Sequence, residues 1–229
     1  MSGGLSNAYD LKDEAQAKEY LDNLGIEYRF QCYKENLPDG CHRLGDFLEA
    51  FRSDVAKAQT VFEMNCSDNK YGHSCFKAGN YRLTGRGDKE KDQEKAFEFF
   101  KIGCDSKFGN SCHNAGLTHL LLSQADKKKD YLGAIDYFKK GCEFGSKDSC
   151  YELSAMYLQG KEGIGKDMSQ ALNYSTKACD QGHIYGCVNV SVMYKKGDGV
   201  SKDLDMAEKF KQKAKKLHAD QAMNVRFGN

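Results

Sequence analysis

Residues 92–112 read DQEKAFEFFKIGCDSKFGNSC, and residues 130–150 read DYLGAIDYFKKGCEFGSKDSC. Both strings begin with aspartate, carry alanine four residues on and an aromatic residue three further, and end in two cysteines eight apart. The order recurs along the chain. Asp54, Asp92, Asp130, Asp167 and Asp203 each stand four residues before Ala58, Ala96, Ala134, Ala171 and Ala207, which are followed at the third residue by Val61, Phe99, Tyr137, Tyr174 and Phe210. Aspartate ahead of an apolar-periodic stretch is an N-cap signal, because its carboxylate meets free backbone N–H groups and the positive end of the helix dipole. A small and a bulky residue three apart on one helix face make a buried stripe. A helix, B, is therefore predicted from each aspartate.

The cysteines keep the same beat. Cys32 and Cys41, Cys66 and Cys75, Cys104 and Cys112, Cys142 and Cys150, and Cys179 and Cys187 are separated by nine, nine, eight, eight and eight residues. Helix B runs to the first cysteine of a pair, a short linker holding Gly72, Gly109, Gly145 or Gly182 follows, and a second helix, A, is expected to start at the second cysteine. Four residues past that cysteine a small residue recurs at Gly45, Gly79, Gly116, Ser154 and Ser191, which lets neighbouring helices approach. Helix A closes in glycine-rich loops such as Gly85-Arg86-Gly87 and Gly197-Asp198-Gly199-Val200.

Repetition at this period specifies an all-α solenoid of about five helix-turn-helix units, at about 37–70, 71–108, 109–146, 147–183 and 184–220. Residues 1–36 are expected to form an N-terminal cap and linker, with a helix from Asp10 to Leu24, and residues 221–229 a C-terminal tail. A single proline, Pro38, is compatible with long helices.

Ten cysteines allow roughly 945 pairings. Equivalence of the units selects the local scheme, in which each bridge ties the last turn of one helix B to the first turn of the next helix A. In the last unit Lys215 stands eight residues past Ala207, where earlier units carry cysteine, and no further helix A follows. Structural bridges are the first reading. Redox work by one bridge is a second, and metal ligation a third that the spacing disfavours, since thiol oxidoreductases need Cys-x-x-Cys, which does not occur, and zinc ligation usually wants the same close spacing, which eight or nine residues do not provide.

Net charge is +1 with signs mixed, so no field attracts nucleic acid, and no apolar run approaches a membrane span. The lysines at 127, 128 and 129 and at 213, 215 and 216 read as solvated surface. Met1 to Glu14 has no apolar h-region and no arginine-rich amphipathic stretch, which predicts a chain without a cleavable leader. Disulfides in such a chain point to the mitochondrial intermembrane space, which imports and oxidises small cysteine-rich proteins. The acceptors at Asn65, Asn173 and Asn189 then carry no glycan.

The string Ala171-Leu-Asn-Tyr174-Ser-Thr-Lys-Ala178-Cys179-Asp-Gln-Gly182, with Met193-Tyr194-Lys-Lys-Gly197-Asp-Gly199-Val200, Lys202-Asp203 and Ala207, resembles the Sel1-like repeat family. The resemblance covers about residues 37 to 220. The first three units lack the glycine-valine loop signature. The five bridges and the acidic first helix are similar to a branch of the family that assists cytochrome c oxidase assembly in the intermembrane space. Bacterial secreted cysteine-rich members share the bridge pattern.

That resemblance implies a monomeric, non-enzymatic scaffold whose stacked A helices form a concave surface for protein partners of respiratory-chain assembly. Thiol-disulfide reductase or haem-handling activity in the same compartment is the alternative, and a secreted binding protein a third reading. Haem is the cofactor such a setting suggests. His113 and Met156 are the candidate axial ligands, facing each other across adjacent units, with His42 and Met193 at related positions. No catalytic residue is assigned. Ser67-Asp-Asn-Lys70 contains Ser-x-x-Lys and Ser-Asp-Asn matches of the penicillin-binding type, but they overlap on four residues and lack a Lys-Thr-Gly strand, so they read as a polar turn.

Overall fold

A computed structural model describes residues 9–124 and 129–227. Lys127 and Lys128 of the first lysine cluster lie outside the described residues. The chain forms eleven helices among them: α1 (Glu14–Tyr33), α2 (Pro38–Phe51), α3 (Val55–Asn69), α4 (Gly72–Thr84), α5 (Gln93–Asp105), α6 (Gly109–Ser123), α7 (Tyr131–Glu143), α8 (Lys147–Gln159), α9 (Met168–Asp180), α10 (Ile184–Lys196) and α11 (Leu204–Phe227). Each helix packs on the next in sequence, so the array is an α-solenoid in which α2, α4, α6, α8 and α10 are the A helices and α3, α5, α7, α9 and α11 the B helices.

The aspartates start the B helices as their chemistry requires. Asp54, Asp92, Asp130, Asp167 and Asp203 each accept a hydrogen bond from the backbone N–H three residues on, at 2.8 to 3.2 Å. Such a cap stabilises a helix by about 1 kcal/mol. Asp13 caps α1 in the same way through the N–H of Gln16.

The A helices begin three residues before the second cysteine rather than at it. Gly72 and Gly109 are consequently first helical residues, not linker. They are glycines because backbone or side chain of the following unit passes over them: a Cβ on Gly72 would lie 2.7 Å from Phe108 Cβ, and one on Gly109 2.6 Å from the Phe144 carbonyl oxygen. The left-handed residue that turns the chain falls instead at Asn36, Lys70, Lys107, Gly145 and Gly182, with φ between +52° and +85°.

Bonded sulfurs join Cys32–Cys41, Cys66–Cys75, Cys104–Cys112, Cys142–Cys150 and Cys179–Cys187, with Cα atoms 4.3 to 4.7 Å apart. All ten are buried.

In the first three units the small residue of helix A receives a ring from helix B. A Cβ on Gly45, Gly79 or Gly116 would fall 2.4, 2.4 or 2.8 Å from Phe62, Phe100 or Phe138. These phenylalanines, one residue beyond the bulky positions expected from the sequence, are fully buried, as are Ala58, Ala96, Ala134 and Ala171. Val61 and Phe99 are buried too, but Tyr137, Tyr174 and Phe210 are only half-buried. The fourth unit exchanges both partners: Ser154 replaces the glycine, Ser175 replaces the ring, and their hydroxyls meet at 2.5 Å.

Both ends differ from expectation in length. Helix α1 starts later than Asp10 and runs on through Gly25, over which Phe47 packs. At the other end α11 continues through residues 221–227, which were expected as a tail, because no glycine or proline interrupts good helix formers before Gly228.

Candidate interaction wall

The A helices line up as neighbours, and polar side chains register one against the next. Lys77 on α4 reaches back to α2, 3.1 Å from an Asp46 oxygen and 3.0 Å from Glu49. On α6, Asn114 donates to Asn80 of α4 at 3.0 Å. In both cases the residue two past the second cysteine meets the residue five past the preceding one. Glu152 occupies that position on α8, where burial above all, and then Asp148, raises its carboxyl above the usual range.

A ribbon of aromatic and imidazole rings follows the first turns of the same helices. His73 packs on Phe108 with ring centres 4.2 Å apart and on Tyr71 at 5.4 Å. His42 lies 5.6 Å from both Tyr71 and His73. Farther along, His183 stacks on Tyr151 at 4.3 Å and its Nε2 lies 3.6 Å from Asp148. Burial lowers the pKa of His42, His113 and His183, against the opposing pull of Asp46 on the first and Asp148 on the other two. Burial thus disfavours the charged form of these imidazoles where they pack between units.

Ser74, His42 and Asp46 look like a hydrolytic triad, with Ser74 Oγ 3.1 Å from His42 Nδ1 and Asp46 3.5 Å from Nε2. Ser74 is fully buried, and its hydroxyl already accepts a hydrogen bond from Asn65 at 2.7 Å, while Asn65 also donates to the Pro38 carbonyl at 2.8 Å. No substrate carbonyl can reach that oxygen. The group clamps α2, α3 and α4 together. Ser67 and Lys70 form a polar turn, Lys70 holding the φ of +53° and its ammonium bonded to the Ser67 carbonyl.

The proposed haem ligands occupy different environments. His113 is half-buried, its ring 5.7 Å from Phe138, and its buried Nδ1 has no hydrogen-bond partner within the protein. Met156 is only 2% exposed and belongs to the buried cluster of Ala134, Ile135, Phe138 and Leu153. Its thioether is a core contact, as is that of Met193. Helix packing therefore does not present His113 and Met156 as an axial pair. Among the described residues no cluster of three or more His, Cys, Asp or Glu is placed to hold a metal ion, and no helix is long and apolar enough to cross a membrane.

What the wall does offer is exposed apolar surface beside polar rungs. Leu117 and Leu121 project from α6, and Tyr185 from α10. Neither the rungs nor the ring ribbon was singled out in the sequence. The column immediately after the second cysteine, His42, Phe76, His113, Tyr151 and Val188, was the available signal.

The Sel1 repeat model matches residues 72–108, 109–146, 147–183 and 184–218. The chain is 44% identical over 230 residues to cytochrome c oxidase assembly factor 7 of Xenopus tropicalis, a match spanning 98% of this chain and 100% of that protein. It is 42% identical over 225 residues to the Homo sapiens protein of the same name, spanning 96% and 97%. A crystal structure of a Sel1 repeat protein from Oxalobacter formigenes superposes with a TM-score of 0.67 at 17% identity, over 92% of this chain and 82% of that one, which is a likeness of fold.

Proposed function

We propose that this chain, which belongs to the Sel1-repeat family and within it to the cytochrome c oxidase assembly factor 7 family, is a protein-binding scaffold for cytochrome c oxidase assembly in the mitochondrial intermembrane space. The observation that carries the binding role is the A-helix wall, where exposed Leu117, Leu121 and Tyr185 flank hydrogen-bonded rungs on a rigid, bridged frame. Exposed apolar groups fixed on such a frame bind another chain at little ordering cost. The relatives' name supplies the client class. Five buried bridges support an oxidising compartment, and within mitochondria the intermembrane space is one.

The test is affinity capture of the tagged full chain from isolated mitochondria, with the Leu117→Glu/Leu121→Glu variant alongside. Cytochrome c oxidase subunits or their assembly proteins should be enriched by the parent and lost by the variant at unchanged thermal stability. Protease protection in mitoplasts reads the compartment. Enrichment that ignores the variant would remove the wall as the binding surface.

A further inference from the structure

Among the described residues, the last unit lacks the cover that the units before it have. In each earlier unit the face formed by helix A and helix B is covered by the following helix A, and in the second to fourth units a small first-turn residue of that helix lies against a small residue of helix B: a Cβ on Gly103 would sit 2.3 Å from Ser111 Oγ, one on Gly141 2.2 Å from Ser149 Oγ, and one on Gly186 2.8 Å from Ala178 Cβ. The corresponding residue of α11 is Ala214, 6% exposed, and among the described residues no helix follows α11 to lie against it. The result is a groove of about 480 Å³ between α10 and α11, with Val188, Val192 and Leu204 exposed along an otherwise apolar floor.

Charge describes what fits there. Lys195, Lys211 and Lys215 rim the groove, against a single carboxylate, Glu208, which is already bonded to Lys211 and Gln212. Lys215 stands where earlier B helices carry the first cysteine of a bridge, and Lys211 where they carry a buried Phe or Ser. Charges alone would serve to stop the solenoid from stacking on itself, but an end built only for that purpose would not leave three aliphatic side chains open between them.

We propose that this groove docks an amphipathic helix of a partner protein in the place of a sixth helix A. The occupant carries a glycine, alanine or serine over Ala214 and a carboxylate in its first turn, where it replaces the bridging cysteine and pairs with Lys215. The disulfide that clamps each internal helix is thereby exchanged for an ion pair, so the partner binds reversibly. The occupant's helix N-terminus favours the same carboxylate. This extends the scaffold reading to a second surface of the molecule, separate from the wall at Leu117 and Leu121.

The probe is a side-chain-stapled fluorescent peptide copying residues 184–196, the helix that fills the preceding groove, with Cys187→Glu and with Lys195 and Lys196 replaced by glutamine. A control carries Cys187→Lys. Anisotropy titration against the full chain should show saturable binding of the Glu peptide and about tenfold or more weaker binding of the Lys peptide. Lys215→Glu in the protein should reverse that preference, Val192→Asp should abolish binding of both, and Leu121→Glu should change neither. All three protein positions are exposed, and unchanged circular dichroism melts establish that the variants fold. Absence of saturable binding, or a preference that survives Lys215→Glu, overturns the proposal. So does light scattering that shows a dimer lost with Val192→Asp, which would make a second copy the occupant. Binding that is lost with Leu121→Glu but kept with Val192→Asp would assign the peptide to the wall and refute the groove alone.

Discussion

At the scale of single residues, the turn between helices B and A asks for one left-handed residue, and the units answer differently. Gly145 and Gly182 adopt it without a Cβ penalty, while Lys70 and Lys107 hold φ of +53° and +62°. A non-glycine residue there costs about 1 to 2 kcal/mol, partly offset by the greater unfolded-state entropy of glycine. Lys107→Gly should therefore stabilise the chain by up to about 1 kcal/mol, read as a higher guanidinium midpoint at constant slope. The buried imidazoles make a second residue-level demand. Burial holds His113 below its ordinary pKa of 6.5, so the unfolded chain takes up a proton more readily than the folded one. The stability this confers is complete above the ordinary value and is lost as pH falls through the window down to the folded value. Between about pH 7.5 and about pH 5.5 the denaturation midpoint should fall, and His113→Gln should reduce the fall, leaving the share due to His42 and His183. An unchanged slope would mean that His113 is solvated like a free imidazole.

At the scale of the element, the ring-over-glycine contact is the unit's lock. Gly116→Ala would place a methyl 2.8 Å from Phe138 and should cost about 1 to 3 kcal/mol through overpacking. The fourth unit tests the same contact by exchange. Ser175→Phe alone drives a ring against Ser154, and Ser154→Gly alone strips the buried Ser175 hydroxyl of its partner. The double variant recreates the lock of the preceding unit, so a double-mutant cycle should return a favourable coupling of about 0.5 to 3 kcal/mol; additivity would show that the two positions do not share a contact. The exchange also explains what the sequence concealed. Aspartate, alanine and cysteine columns run through most units and expose the helix order directly. The phenylalanine column breaks at Ser175 and Lys211, so it does not stand out by repetition although it makes the tightest packing. Helix A starts were obscured for another reason: Tyr71 and Phe108, at the N-caps of α4 and α6, make no side-chain cap hydrogen bond, and the cysteine that seems to mark the boundary marks a covalent tie one turn inside it. Rungs such as Asn114 to Asn80 join different units, 34 residues apart, which no local spacing announces.

At the scale of the whole molecule, every bridge closes a loop of eight or nine residues between sequential helices, and none spans the array. Each should contribute about 2.5 kcal/mol in the chain-entropy model, so Cys104→Ala/Cys112→Ala should lower the unfolding free energy by about that amount without changing the helix content of the folded state. Because a repeat contacts only its neighbours, the end units have support on one side and open at lower free energy than the middle. Cys32–Cys41 joins the terminal helix α1 to α2, whereas Cys104–Cys112 lies between flanking units on both sides. All ten cysteines are at most 4% exposed, so a thiolate reaches them only through local opening. In a glutathione series with timed alkylation and mass spectrometry, Cys32–Cys41 should be reduced first, Cys179–Cys187 next, and the three internal bridges last, together with loss of the helical signal. If instead an internal bridge is reduced ahead of both ends while the helical signal persists, that bridge is accessible by design, and the scaffold carries a working disulfide.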